Sequence, residues 1–276
     1  MAAKLEINDG NPWWLSKDIW IVPGEDPNGM IGIPVSGQAN YVWAKVHNTG
    51  DEVIESAKVN FYWSNPAMGV YRSNSNLIGS AYADLDVGES KDVLCISPWI
   101  PVVVNNGHEC IVVEVDSRQD PLPIPISDDF DPPSFHQIAQ KNLQVLSMTP
   151  AMQFVFLPIQ VSAISRNAKE VEIKIEKGQL NKDDMYFLFK QLGLKNLKEL
   201  SERSIMYGVS LESGCHNSKE TIGYKNLKLS INERSSKAVY VHLEQTNREE
   251  NGYMLLNVTE SQNGKIVGGN SILIIK

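Results

Sequence analysis

The chain has 276 residues, 42% hydrophobic and 21% charged, which excludes a disordered protein and leaves room for two domains with a core each. The net charge of −8 is uneven: residues 1–149 hold 8 Lys/Arg against 19 Asp/Glu, and residues 150–276 hold 17 against 14. Phosphate binding needs clustered positive charge, so nucleic acid is not expected as a partner.

The N-terminus carries no apolar signal-peptide core, and no run reaches the roughly 18 apolar residues of a transmembrane helix. The expectation is a cytoplasmic chain, or one exported by a non-standard route, with no transmembrane segment. The cysteines Cys95, Cys110 and Cys215 are odd in number and lack CxxC spacing, so neither a disulfide framework nor a zinc site is indicated. Cys95 and Cys110 lie in strand-like runs. A bridge between them and a pair of buried thiols both fit, and the thiols are preferred.

Residues 11–40 are rich in Trp, Pro, Gly, Asp and Asn, and only Asp18–Val22 reads as a strand. Asn40–Val46 then alternates, with Val42, Ala44 and Val46 on one face and Tyr41, Trp43 and Lys45 on the other. A turn at His47–Asp51 leads to Ala57–Trp63, where Val59, Phe61 and Trp63 share a face. Strands follow at Leu77–Ala83, at Lys91–Ile96 and, after an Asn105-Asn106-Gly107 turn, at His108–Val115. Short strands separated by frequent turns describe an antiparallel sandwich.

Residues 116–133 read as a Pro/Asp-rich coil, and Ser134–Val145 as a short helix capped by Ser134. The expected organisation is therefore a first domain over 1–133, a helical linker over 134–149 and a second domain over 150–276. In the latter, Gln153–Ala163 and Lys169–Glu176 read as strands, with Val171, Ile173 and Ile175 inward. Asn181–Leu192 reads as a helix, with Asn181 as N-cap, Asp183 and Asp184 at the positive end of its dipole, and Gly193 as its stop. A further helical turn is expected near Leu197–Arg203. Strands return at Ile205–Leu211, Asn226–Ile231, Ser236–Gln245, Gly252–Glu260 and Asn270–Ile275, with a hairpin turn at Asn263-Gly264. The fold class is all-β: two immunoglobulin-like antiparallel sandwiches, the second with a helical insertion near 181–203.

The strings YVWAKVHNTGD, AKVNFYW, LIGSA, LDVGESKDV and GHECIVVEVD resemble the CARDB-type (cell adhesion related) bacterial immunoglobulin-like domains over roughly residues 38–117. The matching positions are Asn48–Gly50, Val59–Trp63, Ile78–Gly79, Leu85–Ser90 and Val113–Asp116. The closing VTESQNGKIVGGNSILI is similar, more weakly, to the last hairpin of a second bacterial immunoglobulin-like domain. These resemblances imply adhesion, spacer or accessory roles; they carry no ligand.

A hydrolase needs a nucleophile, a base and an orienter. The sequence has no GxSxG, and no spacing of Ser, His and Asp recommends a triad. His47 reads as a solvated turn residue, His242 as an outward strand residue, and His108, His136 and His216 as strand-start, linker and loop residues. Asp116, Asp120, Asp128, Asp129 and Asp131 cluster at the end of the first domain and form a candidate calcium site, weighed against a solvated acidic coil. Trp13, Trp14, Trp20, Tyr41 and Trp43 form a candidate ligand surface, weighed against a face covered by the N-terminal segment.

The helix residues Met185, Phe187, Leu188, Phe189 and Leu192 make an apolar stripe expected to pack on a sandwich. The expectation is a non-enzymatic binding or scaffolding protein acting through protein contacts or self-assembly, with no cofactor beyond that calcium. A carbohydrate-binding accessory module and a secreted toxin or hydrolase are the alternatives.

Overall fold

The computed structural model describes residues 2–65, 68–101, 110–124, 128–162, 170–195, 197–212, 223–232, 235–247 and 251–276. The Asn105–Gly107 turn, His108, Cys215 and His216 lie outside them. The chain forms two compact units. The first comprises Met1–Asn65, Val70–Asn142 and Leu180–Lys195; the second comprises Pro66–Gly69, Leu143–Gln179 and Asn196–Lys276.

The first unit holds β1 (Leu5–Glu6), β2 (Ile19–Pro23), β3 (Asn40–Asn48), β4 (Ile54–Ser64), β5 (Ser75–Leu85), β6 (Ser90–Leu94), β7 (Cys110–Asp116) and β8 (Ile138–Lys141). In one sheet β3 pairs with β1 and β2 on one side and β6 on the other; in the second the order is β5-β4-β7-β8. All these pairings are antiparallel. This is an immunoglobulin-like division of strands between two sheets.

Alternation along β3 is complete. Val42, Ala44 and Val46 are fully buried and meet Val59, Phe61, Val113 and Val115 in one core. The opposite face of the β4–β7–β8 sheet is also covered, because Phe130 packs there with Val70, Cys110, Val112 and Ile138. That cover explains why six of the seven residues of β7 are buried, with only Asp116 half-buried.

The second unit holds β9 (Leu143–Ser147), β10 (Phe154–Ser162), β11 (Val171–Lys177), β12 (Ile205–Ser210), β13 (Asn226–Leu229), β14 (Ser236–Gln245), β15 (Tyr253–Gln262) and β16 (Lys265–Ile275). Its sheets are β10-β14-β12 and β13-β11-β15-β16-β9, antiparallel except for the β9–β16 pair. Val171, Ile173 and Ile175 point into a core shared with Val241, Leu256 and Ile272. Asn263 and Gly264, both at positive φ, turn β15 into β16 as the Asn-Gly pair requires.

Helix α1 (Lys182–Gln191) begins at Asn181, whose side chain accepts from the Asp184 amide at 2.8 Å. It ends at Gly193 (φ 65°), where the Leu194 amide returns to the Phe189 carbonyl at 2.8 Å. In chain order α1 interrupts the strands of the second sandwich, as expected. By packing its residues belong to the first unit.

Two expectations are corrected. Residues 134–145 are not a helix: a single 3-10 turn at Pro132–Ser134 gives way to β8 and β9. Pairing of β8 with β7 overrides the local helical spacing. From the Pro/Asp-rich stretch after β7, Leu122 and Phe130 pack on the outer face of the first unit. No helix forms at 197–203 among the described residues; a turn at 202–204 leads directly into β12.

Candidate functional site

The aromatic residues read from the sequence fall into two groups. Trp20 and Trp43 are directly opposed across β2 and β3, and their rings stack with centroids 6.1 Å apart and planes within 7°. The Trp43 indole Nε1 donates to the Pro27 carbonyl at 3.0 Å, and Val22 is buried beside Gly29. The loop after β2 therefore lies over part of this outer face, and each indole shields the other. Tyr41 stands half-buried on the same face of β3. Trp13 and Trp14 meet edge to face at 5.4 Å, with Trp14 buried.

The five aspartates are not brought together. Asp116 Oδ1 accepts from the Leu122 amide at 2.7 Å, and Asp120 Oδ2 from the Leu5 amide at 2.7 Å. His136 Nε2 is 3.8 Å from the latter oxygen. Asp128 takes the amide and hydroxyl of Ser73, Asp129 bridges to Tyr71, and Asp131 is a left-handed residue before the 3-10 turn. Among the described residues no three His, Cys, Asp or Glu side chains gather as a metal ion requires.

Cys95 and Cys110 are buried free thiols. Burial pushes Cys95 up to about 11 and Cys110 higher still, which makes both poor nucleophiles.

Two histidines differ from their sequence reading. His242 is buried in β14, with Nε2 2.7 Å from Ser210 Oγ and its ring edge-on to Phe156. His47 is not a solvated turn residue: only 17% of its side chain is exposed. Its Nε2 lies 2.8 Å from Asp18 Oδ2 and its Nδ1 2.6 Å from Ser90 Oγ. The sequence held one clue to this trio, the outward parity His47 shares with Trp43 and Lys45 on β3.

Lys141 at the end of β8 is buried, and its ammonium donates to the Ile19 carbonyl at 2.8 Å and to Gln191 Oε1 at 2.6 Å. Gln191 Nε2 in turn donates to the Lys17 carbonyl at 2.8 Å, and Lys17 pairs with Asp184. Burial lowers Lys141 to about 7, against a smaller upward pull from Asp18. These groups line a cavity of about 20 Å³, the size of a single water. Their arrangement ties α1 to β8 and to the segment before β2.

Strand β5 lies at the edge of its sheet. It spans eleven residues and pairs, among the described residues, only with β4. A register shift at Phe61/Tyr62 sets Leu77 opposite Tyr62, while Tyr82 stands opposite Lys58. Leu77 and Tyr82 are 56% and 65% exposed, and Asp84 is the only charged residue in the strand.

No family model and no curated protein matches this sequence. Several solved structures show a slight likeness. The CARDB domain of a Pyrococcus furiosus protein, in complex with di-metal ions, is 15% identical over 51% of this chain and 85% of its own, with a TM-score of 0.29. The collagen adhesin of S. aureus is 10% identical over 94% and 92%, at 0.25. The CupB6 tip adhesin of Pseudomonas aeruginosa is 9% identical over 100% and 97%, at 0.24. Likenesses this slight assign neither fold nor ligand. The fold rests on the strand pairing itself, which makes the chain a two-domain, all-β, immunoglobulin-like protein with no described helix long and apolar enough to cross a membrane.

Proposed function

We propose that the protein is a binding or scaffolding module that takes a protein partner along the open edge of β5. The observation that carries this is the edge itself. Exposed strand edges recruit other strands, and most natural edges are blunted by Lys, Pro or short length. β5 is long and contains neither Lys nor Pro. Leu77 and Tyr82 add exposed apolar surface along the strand, and of its carbonyls that of Asp84 accepts from Lys91 Nζ at 2.7 Å. Strand addition would supply main-chain hydrogen bonds for affinity and these two side chains for selectivity.

The first partner to test is a second copy of the chain, since an edge can pair with its own copy about a two-fold axis. Sedimentation velocity over rising concentration should show reversible self-association that the double variant Leu77→Lys/Tyr82→Lys abolishes. A wild type that stays monomeric and captures no protein through β5, or a variant that associates equally, refutes the proposal.

A further inference from the structure

The trio Asp18, His47 and Ser90 comes from three separate parts of the first unit. Asp18 lies just before β2, His47 near the end of β3, and Ser90 opens β6. His47 and Ser90 are directly opposed in the β3–β6 register. The neighbouring pair is hydrogen-bonded through the Asn48 amide to the Glu89 carbonyl at 2.9 Å. His47 and Ser90 therefore form a non-hydrogen-bonded pair, the type in which side chains come closest.

The carboxylate has a second anchor: Asp18 Oδ2 also accepts from the Asn8 amide and the Asn8 side-chain amide, both at 2.8 Å. Two groups meet His47 Nε2, Asp18 Oδ2 at 2.8 Å and Asn8 Nδ2 at 3.0 Å; we place the proton of neutral His47 on Nε2, toward the carboxylate, which only accepts. Nδ1 is then left to accept the Ser90 hydroxyl proton, the assignment a general base needs. Asp18 and His47 are mostly screened, at 11% and 17% side-chain exposure, while Ser90 faces solvent. Among the described residues β6 pairs only with β3, so the Ser90 amide is directed to the open edge, where it can donate to an oxyanion.

From this geometry we infer that Ser90 is the nucleophile of an acyl-transfer site, with His47 as its base and Asp18 as a positioning residue, acting on small unhindered carboxylic esters. Ser90 opens an edge strand beside Lys91 and Asp92, both exposed. An acyl group there meets polar side chains instead of an apolar pocket, which suits acetyl-sized esters and not long acyl chains. Ser90 Oγ bonds to the acyl carbon while its proton passes to His47 Nδ1. The bond to the alkoxide breaks, and His47 returns that proton to the departing alcohol. Water then attacks acyl-Ser90, giving its proton to His47, and the carboxylic acid leaves as the serine is restored.

The site is independent of the β5 edge and does not require a bound partner. The test uses the full chain with p-nitrophenyl acetate, following p-nitrophenol release and locating the acetyl group by peptide mass spectrometry. Ser90 should acquire acetyl at least tenfold faster than the exposed Ser97, and Ser90→Ala should remove that release without moving the thermal midpoint. His47→Gln should lower the rate about 100-fold or more, the contribution expected of a general base. Asp18→Asn should lower the rate less and change its pH profile. Equal labelling of Ser90 and Ser97 in the wild type overturns the inference whether or not the variants fold, as does unchanged labelling in a folded His47→Gln protein.

Discussion

Replacing Lys141 by Met tests how α1 is held on the first unit. Lys141 is buried, and its ammonium is bound by the Ile19 carbonyl and Gln191 Oε1. Burial lowers it from 10.5 to about 7. The folded state therefore releases a proton that the unfolded chain still holds between those values. Stability must rise with pH across this window, by about 1.4 kcal/mol per pH unit at full slope. From pH 7.5 to 9 the wild type should gain about 2 kcal/mol from this group, less whatever its carbonyl partners recover for the charged form. Asp9, raised to about 7 by burial, titrates below this range with the opposite slope. All six tryptophans belong to the first unit, so their fluorescence during urea unfolding reports on it alone. Lys141→Met should flatten the pH dependence between 7.5 and 9. The same slope in the variant, or no slope in the wild type, would refute the lowered titration of Lys141.

Other substitutions probe separate parts of the account. Phe61→Ala empties a fully buried core position and should cost about 3–5 kcal/mol in the same fluorescence assay. Asn181→Ala removes the cap of α1 and should cost about 1 kcal/mol, visible as faster amide exchange in its first turn. Glu260 is fully buried in the second unit and burial pushes it up to about 8, so the wild type should lose stability as pH rises from 4.5 to 8. Glu260→Gln should remove that loss in calorimetry of the second unit's unfolding. In a Cys215→Ser background, a thiol reagent should reach Cys95 and Cys110 only after unfolding.

Alternation made the sandwiches legible in sequence. The parity of Val42, Ala44 and Val46, and of Val171, Ile173 and Ile175, is the parity of the cores. Asn181, Gly193 and the Asn263-Gly264 turn were equally readable, because their roles are set by local backbone geometry. Residues 134–145 misled because Ile138, Ala139, Leu143 and Val145 also suit a helical stripe, and only pairing with β7 and β16 decides for strands. Nor does the stripe of α1 show which unit it packs on, since an apolar face does not name its cover. The Asp18–His47–Ser90 trio was hidden because strand register, absent from sequence spacing, brings it together.

The central claim is that β5 is the recruiting edge, and amide hydrogen exchange read along the chain as concentration is raised from micromolar to hundreds of micromolar tests it most directly. The account predicts protection that grows over Ser75–Leu85 with concentration and is absent from Leu77→Lys/Tyr82→Lys. Protection that grows at another strand, or β5 exchange that is the same at every concentration and with every captured protein, would contradict it.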